Sequence, residues 1–491
     1  MGHGGETMDR NAIEEVELKL DLAPDARSTV DWPALFGAPP TIIAQHAVYF
    51  DTPDCALAAA GFSLRIRTSG TKRVQTVKAR AAAAGLFARA EWEFAVAGDI
   101  PVLDDRTPVA ATLGAHAAKL GPVFTIENER MLWDLGGIEV ALDHARVATP
   151  DAETPIDEIE LEAKGSAIPA LFALARRIDA ATPVQIAILS KADRGYRLLA
   201  PPAPAEKAQP VALAAGITAA EAFCAIARAC LRQFRLNAAT VIERGDPGAL
   251  HQARVALRRL RSALAVHAPL FPPSAAARWD DELRWLAGEL GAARDLDVLA
   301  TRAGPGARAD RMRPAREAAY ARATAALLPP RTRHLMLDLV EWLTVGDWRT
   351  GGEAAAPCAR PVRGFAAEAL DRLHRKVRKR GRHFARLDDA ARHRLRKTVK
   401  KLRYAADLFA PLFADDGQSA ALRDHAKLTE ALQDRLGALN DIATAPQLLR
   451  SLSLDAVPEA VALFATGDRE RLLGEARTAF RALRDAAPFW R

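Results

Sequence analysis

The sequence predicts an α+β chain in two parts: an antiparallel β barrel or strongly curved sheet with a charged interior, then an all-α domain made of two copies of one helical bundle. Three observations predict it. Charged residues repeat at period two in four separate segments: Glu15/Glu17/Lys19, Arg65/Arg67, Arg89/Glu91/Glu93 and Glu158/Glu160/Glu162. Successive strand side chains point to opposite faces, so each segment puts its charges on one side and residues such as Val16, Leu18 and Leu20 on the other. Beyond a Pro/Ala-rich linker the apolar spacing becomes helical and stays so to Arg491. Within that second part a motif recurs.

In order, residues 14–20 read as the first strand, and a helical stretch with a turn runs to about Pro40. Strands are expected at Ile42–Asp51, Gly61–Thr68, Arg73–Lys78, Ala88–Val96, Val123–Asp134, Ile138–Asp143 and Ile156–Lys164, separated by Gly, Pro, Asp and Ser turns. Ile168–Ala180 has helical spacing, and Pro183–Ser190 leads to a last helix or turn at Lys191–Tyr196. The linker is Ala200–Pro210, extended by its prolines. Helical segments follow, broken near Pro272–Pro273, Gly304–Gly306, Pro329–Pro330, Gly351–Pro361 and Asp415–Gly417. The expected domains are therefore 14–200, a linker at 201–210, and 211–491, with repeats at about 211–345 and 360–491.

At 491 residues the chain is long enough for two or three cores. Its four cysteines, Cys55, Cys224, Cys230 and Cys358, are scattered, with no CxxC pair, which argues against a zinc knuckle or a disulfide framework and for a reducing cytoplasm. No leader pattern and no apolar run near 20 residues is present, so neither export nor membrane insertion is expected. Charge is unevenly divided. Residues 1–207 carry 21 Lys and Arg against 29 Asp and Glu, net −8, and residues 208–491 carry 47 against 32, net +15. A half this basic attracts a polyanion.

The repeat aligns His251-Gln-Ala-Arg254-Val-Ala-Leu-Arg258-Arg259-Leu-Arg261 on His393-Arg-Leu-Arg396-Lys-Thr-Val-Lys400-Lys401-Leu-Arg403, and Leu290-Gly291 on Leu436-Gly437. At 100° per residue, His251, Arg254, Arg258 and Arg261 share one arc and the leucines another; His393, Arg396, Lys400 and Arg403 do the same. Each motif helix thus packs by its leucines and shows a cationic stripe. Like charges at i, i+3 and i+4 repel, so two such stripes favour an anionic ligand over a merely solvated face. Neither histidine has a second one at i+4, which disfavours a metal site there; each is read as a phosphate donor or a helix start. The stripes lack interleaved aromatics, which disfavours nucleic acid.

These residues carry a family resemblance. Residues 14–200 resemble the CYTH domain of the triphosphate tunnel metalloenzymes, through Glu15-x-Glu17-x-Lys19, Tyr49-Phe-Asp-Thr52, Leu64-Arg65-Ile-Arg67, Thr76-Val-Lys78, Arg89-Ala-Glu91-Trp-Glu93, Arg130, Ala141-Leu-Asp143, Glu158-Ile-Glu160-Leu-Glu162 and Ser190-Lys191 to Gly195-Tyr196. Residues from about 211 resemble a CHAD domain. The resemblance implies an eight-stranded antiparallel tunnel joined to duplicated four-helix bundles. It implies that Glu15, Glu17, Asp143, Glu160 and Glu162 hold Mg²⁺ or Mn²⁺, with Glu91, Glu93 and Glu158 as further acids of the tunnel. Lys19, Arg65, Arg67, Lys78, Arg89, Arg130 and Lys191 are then the catalytic cations that grip phosphate oxygens.

For the second part it implies inorganic polyphosphate binding through His251, Arg254, Arg258, Arg259, Arg261, His393, Arg396, Lys400, Lys401 and Arg403, and recruitment to polyphosphate granules. The expected activity is metal-dependent hydrolysis of tripolyphosphate in the cytoplasm. The alternatives are a tunnel acting on ATP or thiamine triphosphate, and a non-catalytic granule protein. Oxygen-rich ligands suit Mg²⁺ or Mn²⁺ independently of the resemblance.

Overall fold

Ile13–Leu22 (β1) is the strand on which the N-terminal sheet turns. The computed structural model describes residues 13–79, 86–165, 168–201, 205–214, 216–349, 355–414, 418–451 and 469–491. Among them the sheet contains Thr41–Asp51 (β2), Phe62–Ser69 (β3), Lys72–Ala79 (β4), Leu86–Ala95 (β5), Gly121–Asp134 (β6), Ile138–Ala148 (β7), Glu153–Ala163 (β8) and a three-residue strand, Val184–Ile186 (β9). The order is β5-β4-β3-β2-β6-β7-β8-β1-β9, and β5 also pairs with β1, which joins eight antiparallel strands in a ring. Along one edge β1 is shared: Ile13–Leu18 pair with β5 and Leu20–Leu22 with β9. Pro183–Ser190, expected only as a lead-in, supplies that ninth strand.

Strand parity divides polar from apolar. Leu18 and Leu20 on β1 and Ile159 and Leu161 on β8 are fully buried and face outward, where the helix Ile168–Ala181 (α1) covers them with Leu171, Phe172, Ala175 and Ile178. A second outer cluster gathers Phe50, Leu57, Leu64, Ile66, Val77, Val109 and Leu113. Each such side chain contributes roughly 1.5–3 kcal/mol on burial. The hydrophobic core thus lies outside the ring, and the charges of the same strands are turned in.

One end of the ring is filled. Ala47, Tyr49, Phe124, Ile126, Ala145, Val147 and Ile156 form an inward apolar cluster, and Ala192, Tyr196 and Leu198 of the helix Lys191–Leu198 (α2) pack on it. Ser190 caps α2 in a reciprocal pairing with Asp193. A Cβ at Gly195 would lie 2.2 Å from the Phe124 ring, so only glycine lets the helix sit this close. The buried Asp51 accepts from the Thr52, Leu57 and Ala58 amides and, at 2.9 Å, from the Tyr196 hydroxyl, which ties β2 to α2.

The remainder is helical: Ala219–Arg244 (α3), Pro247–His267 (α4), Pro273–Glu289 (α5), Gly291–Ala303 (α6), Ala307–Leu327 (α7), Pro330–Val345 (α8), Val362–Gly381 (α9), Asp389–Phe409 (α10), Ser419–Ser451 (α11) and Arg469–Asp485 (α12). The repeat matches α4 with α10, and α5 plus α6 with the single helix α11. The equivalent helices α3 and α9 begin side by side, with Thr218 bridged antiparallel to Pro361, the Ala219 amide on the Arg360 carbonyl and the Val362 amide on the Ile217 carbonyl. Such a bridge has local twofold symmetry, as two copies related by a pseudo-twofold axis would show. By contact density the chain forms two compact units, residues 1–203 with 333–345, and residues 204–332 with 346–491. The stretch 333–345 was expected in the first helical repeat. Within the first unit, Asp179 of α1 accepts from Arg333 at 2.6 Å and faces His334 at 2.9 Å.

Candidate active site

The inward faces of β1 to β8 enclose a cavity of about 440 Å³ lined by Glu17, Lys19, Arg65, Arg67, Lys78, Glu91, Glu93, Arg130, Glu160, Glu162 and Lys191, with Tyr49 and Asn128 toward the closed end. Cross-strand register brings these groups together: Lys19 is opposite Glu160, Arg130 opposite Asp143, and Asp143 opposite Glu158. Arg130 holds Asp143 with two bonds of 2.7 and 2.6 Å and reaches Glu160 at 2.7 Å. Lys19 bonds Glu160 and lies 3.4 Å from Glu17. Lys191, from the first turn of α2, donates to Asp143 at 2.7 Å, to Glu160 at 3.0 Å and to Glu158.

Burial alone would neutralise such groups, and pairing reverses its effect. Burial penalises the Lys19 and Lys191 ammonium groups, but the carboxylates around them raise both above the ordinary lysine value. Burial likewise opposes ionisation of Asp143 and Glu160, yet Asp143 is held at about 2 by Lys191 and Arg130, and Glu160 well below its usual range by Lys19, Lys191 and Arg130. Glu158 is the exception: fully buried, its carboxyl is pushed up despite Lys191. The opposite wall is less balanced. Lys78 meets Glu91 at 2.6 Å and Arg67 meets Glu93 at 3.4 Å, while Arg67 is lowered first by Arg65, then by burial, with Arg130 adding to the effect.

Carboxylate oxygens of Asp143, Glu158 and Glu160 lie within 4.8 Å of one another. The second oxygen of Glu158, Oε2, is buried with no hydrogen-bond partner. A cluster of hard oxygens with one acceptor unused fits a hard divalent cation. Of the expected ligands, Asp143 and Glu160 belong to this cluster; Glu17 is beside it, and Glu162 lines the cavity with Lys164 at 2.6 Å. Glu158, expected as a further acid, is the third member of the cluster. The side chains of Glu15 and Arg89 lie outside the described residues, although their backbones are opposite one another in the β1–β5 ladder.

Several lining residues were not among the expected site residues. Asn128 donates to Asp143 at 2.7 Å and to Gln45 at 3.3 Å. Thr76 donates to Glu93 at 3.0 Å, and the Tyr49 hydroxyl is 3.4 Å from Arg65. The available signal was parity: Asn128 is two residues from Arg130, and Thr76 two from Lys78.

In the helical unit the two stripes face each other. Lys400 of α10 is lowered to about 7, first by burial and then by Arg258, Arg396, Arg403 and Arg254. His251 is lowered to about 4 by burial and by Arg294, Arg258 and Arg254. Buried Nε atoms of Arg254, Arg258, Arg396 and Arg403 have no hydrogen-bond partner. The repeated Leu-Gly motif has its reason here. A Cβ on Gly291 would lie 2.9 Å from the Arg254 guanidinium and one on Gly437 3.7 Å from that of Arg396, so each glycine lies under the equivalent arginine. His393 bonds Asn440.

Other members have partners of their own. Arg259 bonds Gln233 at 3.3 Å, and Arg261 bonds Asp280 at 2.8 Å. Arg403 lies 4.0 Å from Glu430. Arg258, Arg261, Lys397, Lys400 and Lys401 line a groove of about 430 Å³.

Comparison with known proteins agrees with both halves. The CYTH domain family matches residues 14–196 and the CHAD domain family residues 225–450. An inorganic triphosphatase of Haemophilus influenzae is 29% identical over 208 residues, 39% of this chain; the chain spans 56% of that relative's length. The crystal structure of a CHAD domain from the plant Ricinus communis is 33% identical, with 57% of this chain and 97% of that one covered and a TM-score of 0.46. PptA from Streptomyces chartreusis is 20% identical, with 55% and 99% covered and a TM-score of 0.36. No described helix is long and apolar enough to cross a membrane. The chain belongs to the CYTH family through residues 14–196 and to the CHAD family through residues 225–450.

Proposed function

We propose that the tunnel hydrolyses tripolyphosphate to pyrophosphate and phosphate with Mg²⁺ or Mn²⁺, and that the helical unit binds inorganic polyphosphate and brings the enzyme to polyphosphate granules. One observation carries the first half: Arg67 is crowded by Arg65 and Arg130 around a cavity lined by Glu160, one of three converging carboxylates. Cations gathered against their own repulsion beside a metal-type acid cluster suit a short, highly charged phosphate chain. The name of the Haemophilus relative supports the same substrate class.

In this reading Asp143, Glu158 and Glu160 hold the metal, with Glu17 adjacent. The metal supplies charge neutralisation on phosphate oxygens. Arg65, Arg67, Lys78 and Arg130 bind non-bridging oxygens and stabilise charge that builds up in the transition state, as positioned cations do in a water-poor site. Tyr49 and Asn128 fix Arg65 and Asp143 in place through their hydrogen bonds. The described lining is mostly charged side chains, which favours the inorganic chain over ATP or thiamine triphosphate. Phosphate release from tripolyphosphate, measured beside ATP and thiamine triphosphate with each metal, tests it; faster turnover of either organic substrate refutes the substrate assignment. Binding of polyphosphate to the full chain, lost on neutralising the facing stripes, tests the second half.

A further inference from the structure

The position of Lys191 carries one step more. Its Nζ donates to Asp143, Glu158 and Glu160, and these are the same three carboxylates whose oxygens converge within 4.8 Å. An ammonium has three N–H groups, and all three are used here. Glu158 Oε2 is nonetheless left buried without a partner, so the lysine does not satisfy the cluster. A divalent ion takes six or more oxygens and can use both oxygens of a carboxylate.

Charge points the same way. Glu17, Asp143, Glu158 and Glu160 bring four negative charges, and Lys19, Arg130 and Lys191 bring three positive ones. A divalent ion in place of the lysine leaves the cluster neutral and releases one cation. Lys191 sits at the start of α2, on a flexible four-carbon stem, and lines the cavity beside the carboxylates.

We propose that Lys191 is a tethered competitor of the metal: its ammonium and a divalent cation occupy the Asp143/Glu158/Glu160 cluster alternately, and metal entry turns the lysine into the cavity, where it meets phosphate. The proposal rests on the metal-binding reading of these carboxylates. It makes the site's readiness for substrate depend on metal, because the freed cation appears only when the metal is in place.

The test uses the full chain without substrate. Mn²⁺ affinity, read by calorimetry and by the electron paramagnetic resonance of free Mn²⁺, is expected to be at least about tenfold tighter in Lys191→Met than in the wild type. Glu160→Gln is expected to weaken Mn²⁺ binding in both backgrounds. Equal or weaker Mn²⁺ binding in Lys191→Met, with Glu160→Gln still weakening it, overturns the competition and leaves the metal site standing. Indifference of Mn²⁺ binding to Glu160→Gln overturns the metal site and the competition with it. A second readout needs no variant: amine-reactive labelling of wild-type Lys191, mapped by peptide mass spectrometry, is expected to rise several-fold on adding Mg²⁺. Constant labelling under saturating Mg²⁺ overturns the proposal.

Discussion

Two lysines in this molecule are buried among charges and respond in opposite directions. Lys191 in the tunnel is raised, because every bond it makes is to a carboxylate; Lys400 in the helical cleft falls to about 7, because burial and four arginines surround it. The difference separates two ways of preparing for an anion. The tunnel pairs most of its buried charges with its own counter-charges, so a guest must exchange partners with groups already bonded. The cleft stores repulsion, and any polyanion relieves it. Selectivity suits the first arrangement and avidity the second.

The largest effect is expected in the tunnel. Glu160→Gln removes the acid shared by Lys19, Arg130 and Lys191, and tripolyphosphate turnover should fall by about two to three orders of magnitude, as when a positioned charge is lost from an active site; polyphosphate binding should be unchanged. Steady-state kinetics and a binding titration on the same preparation decide it, and an unaltered kcat would erase the distinction. Next, Arg254, Arg258, Arg396 and Lys400 replaced together by Ala should weaken polyphosphate binding by about a hundredfold or more at 50 mM salt and flatten the logarithmic salt dependence by about three, with tunnel activity intact. A slope equal to that of the wild type would show that the stripes do not carry the ligand.

A smaller effect separates the lysines by pH. The folded-state value of Lys400 lies below its unfolded one, so the unfolded chain binds the extra proton between about pH 7 and 10.5 and stability is lost as pH falls through that window. Allowing for partial exposure, unfolding of the helical part should be easier at pH 7 than at pH 9 by about 1–2 kcal/mol, and Lys400→Met should remove that slope. Denaturant titrations at the two pH values measure it. Lys191 and Lys19, raised instead, should give no loss of stability in this window. The smallest effect is expected for Arg261→Ala, which should change polyphosphate affinity less than about threefold, because Asp280 already holds that guanidinium at 2.8 Å.

What could be read in advance was whatever depended on period. The inward charges of β1, β3, β5 and β8 and the facing arcs of α4 and α10 follow from periods of two and 3.6, and the ring and the bundles were legible from them. What depended on neighbours distant in sequence was not. Glu158 joins the carboxylate cluster only because β7 and β8 place it opposite Asp143. Arg261 shares the helical arc of Arg254 and Arg258, and differs because Asp280 lies within reach. Gly195, Gly291 and Gly437 were visible as motif letters, but their reason, a ring or a guanidinium lying against bare backbone, exists only in three dimensions. The assignment of 333–345 to the first compact unit was equally hidden, since α8 reads as one more helix of the repeat.

The apolar plug of Tyr49, Phe124, Ile126 and Ile156 beneath α2 fills one end of the bore. On the proposed reading, a linear phosphate chain would meet the chemistry by its terminus rather than its middle.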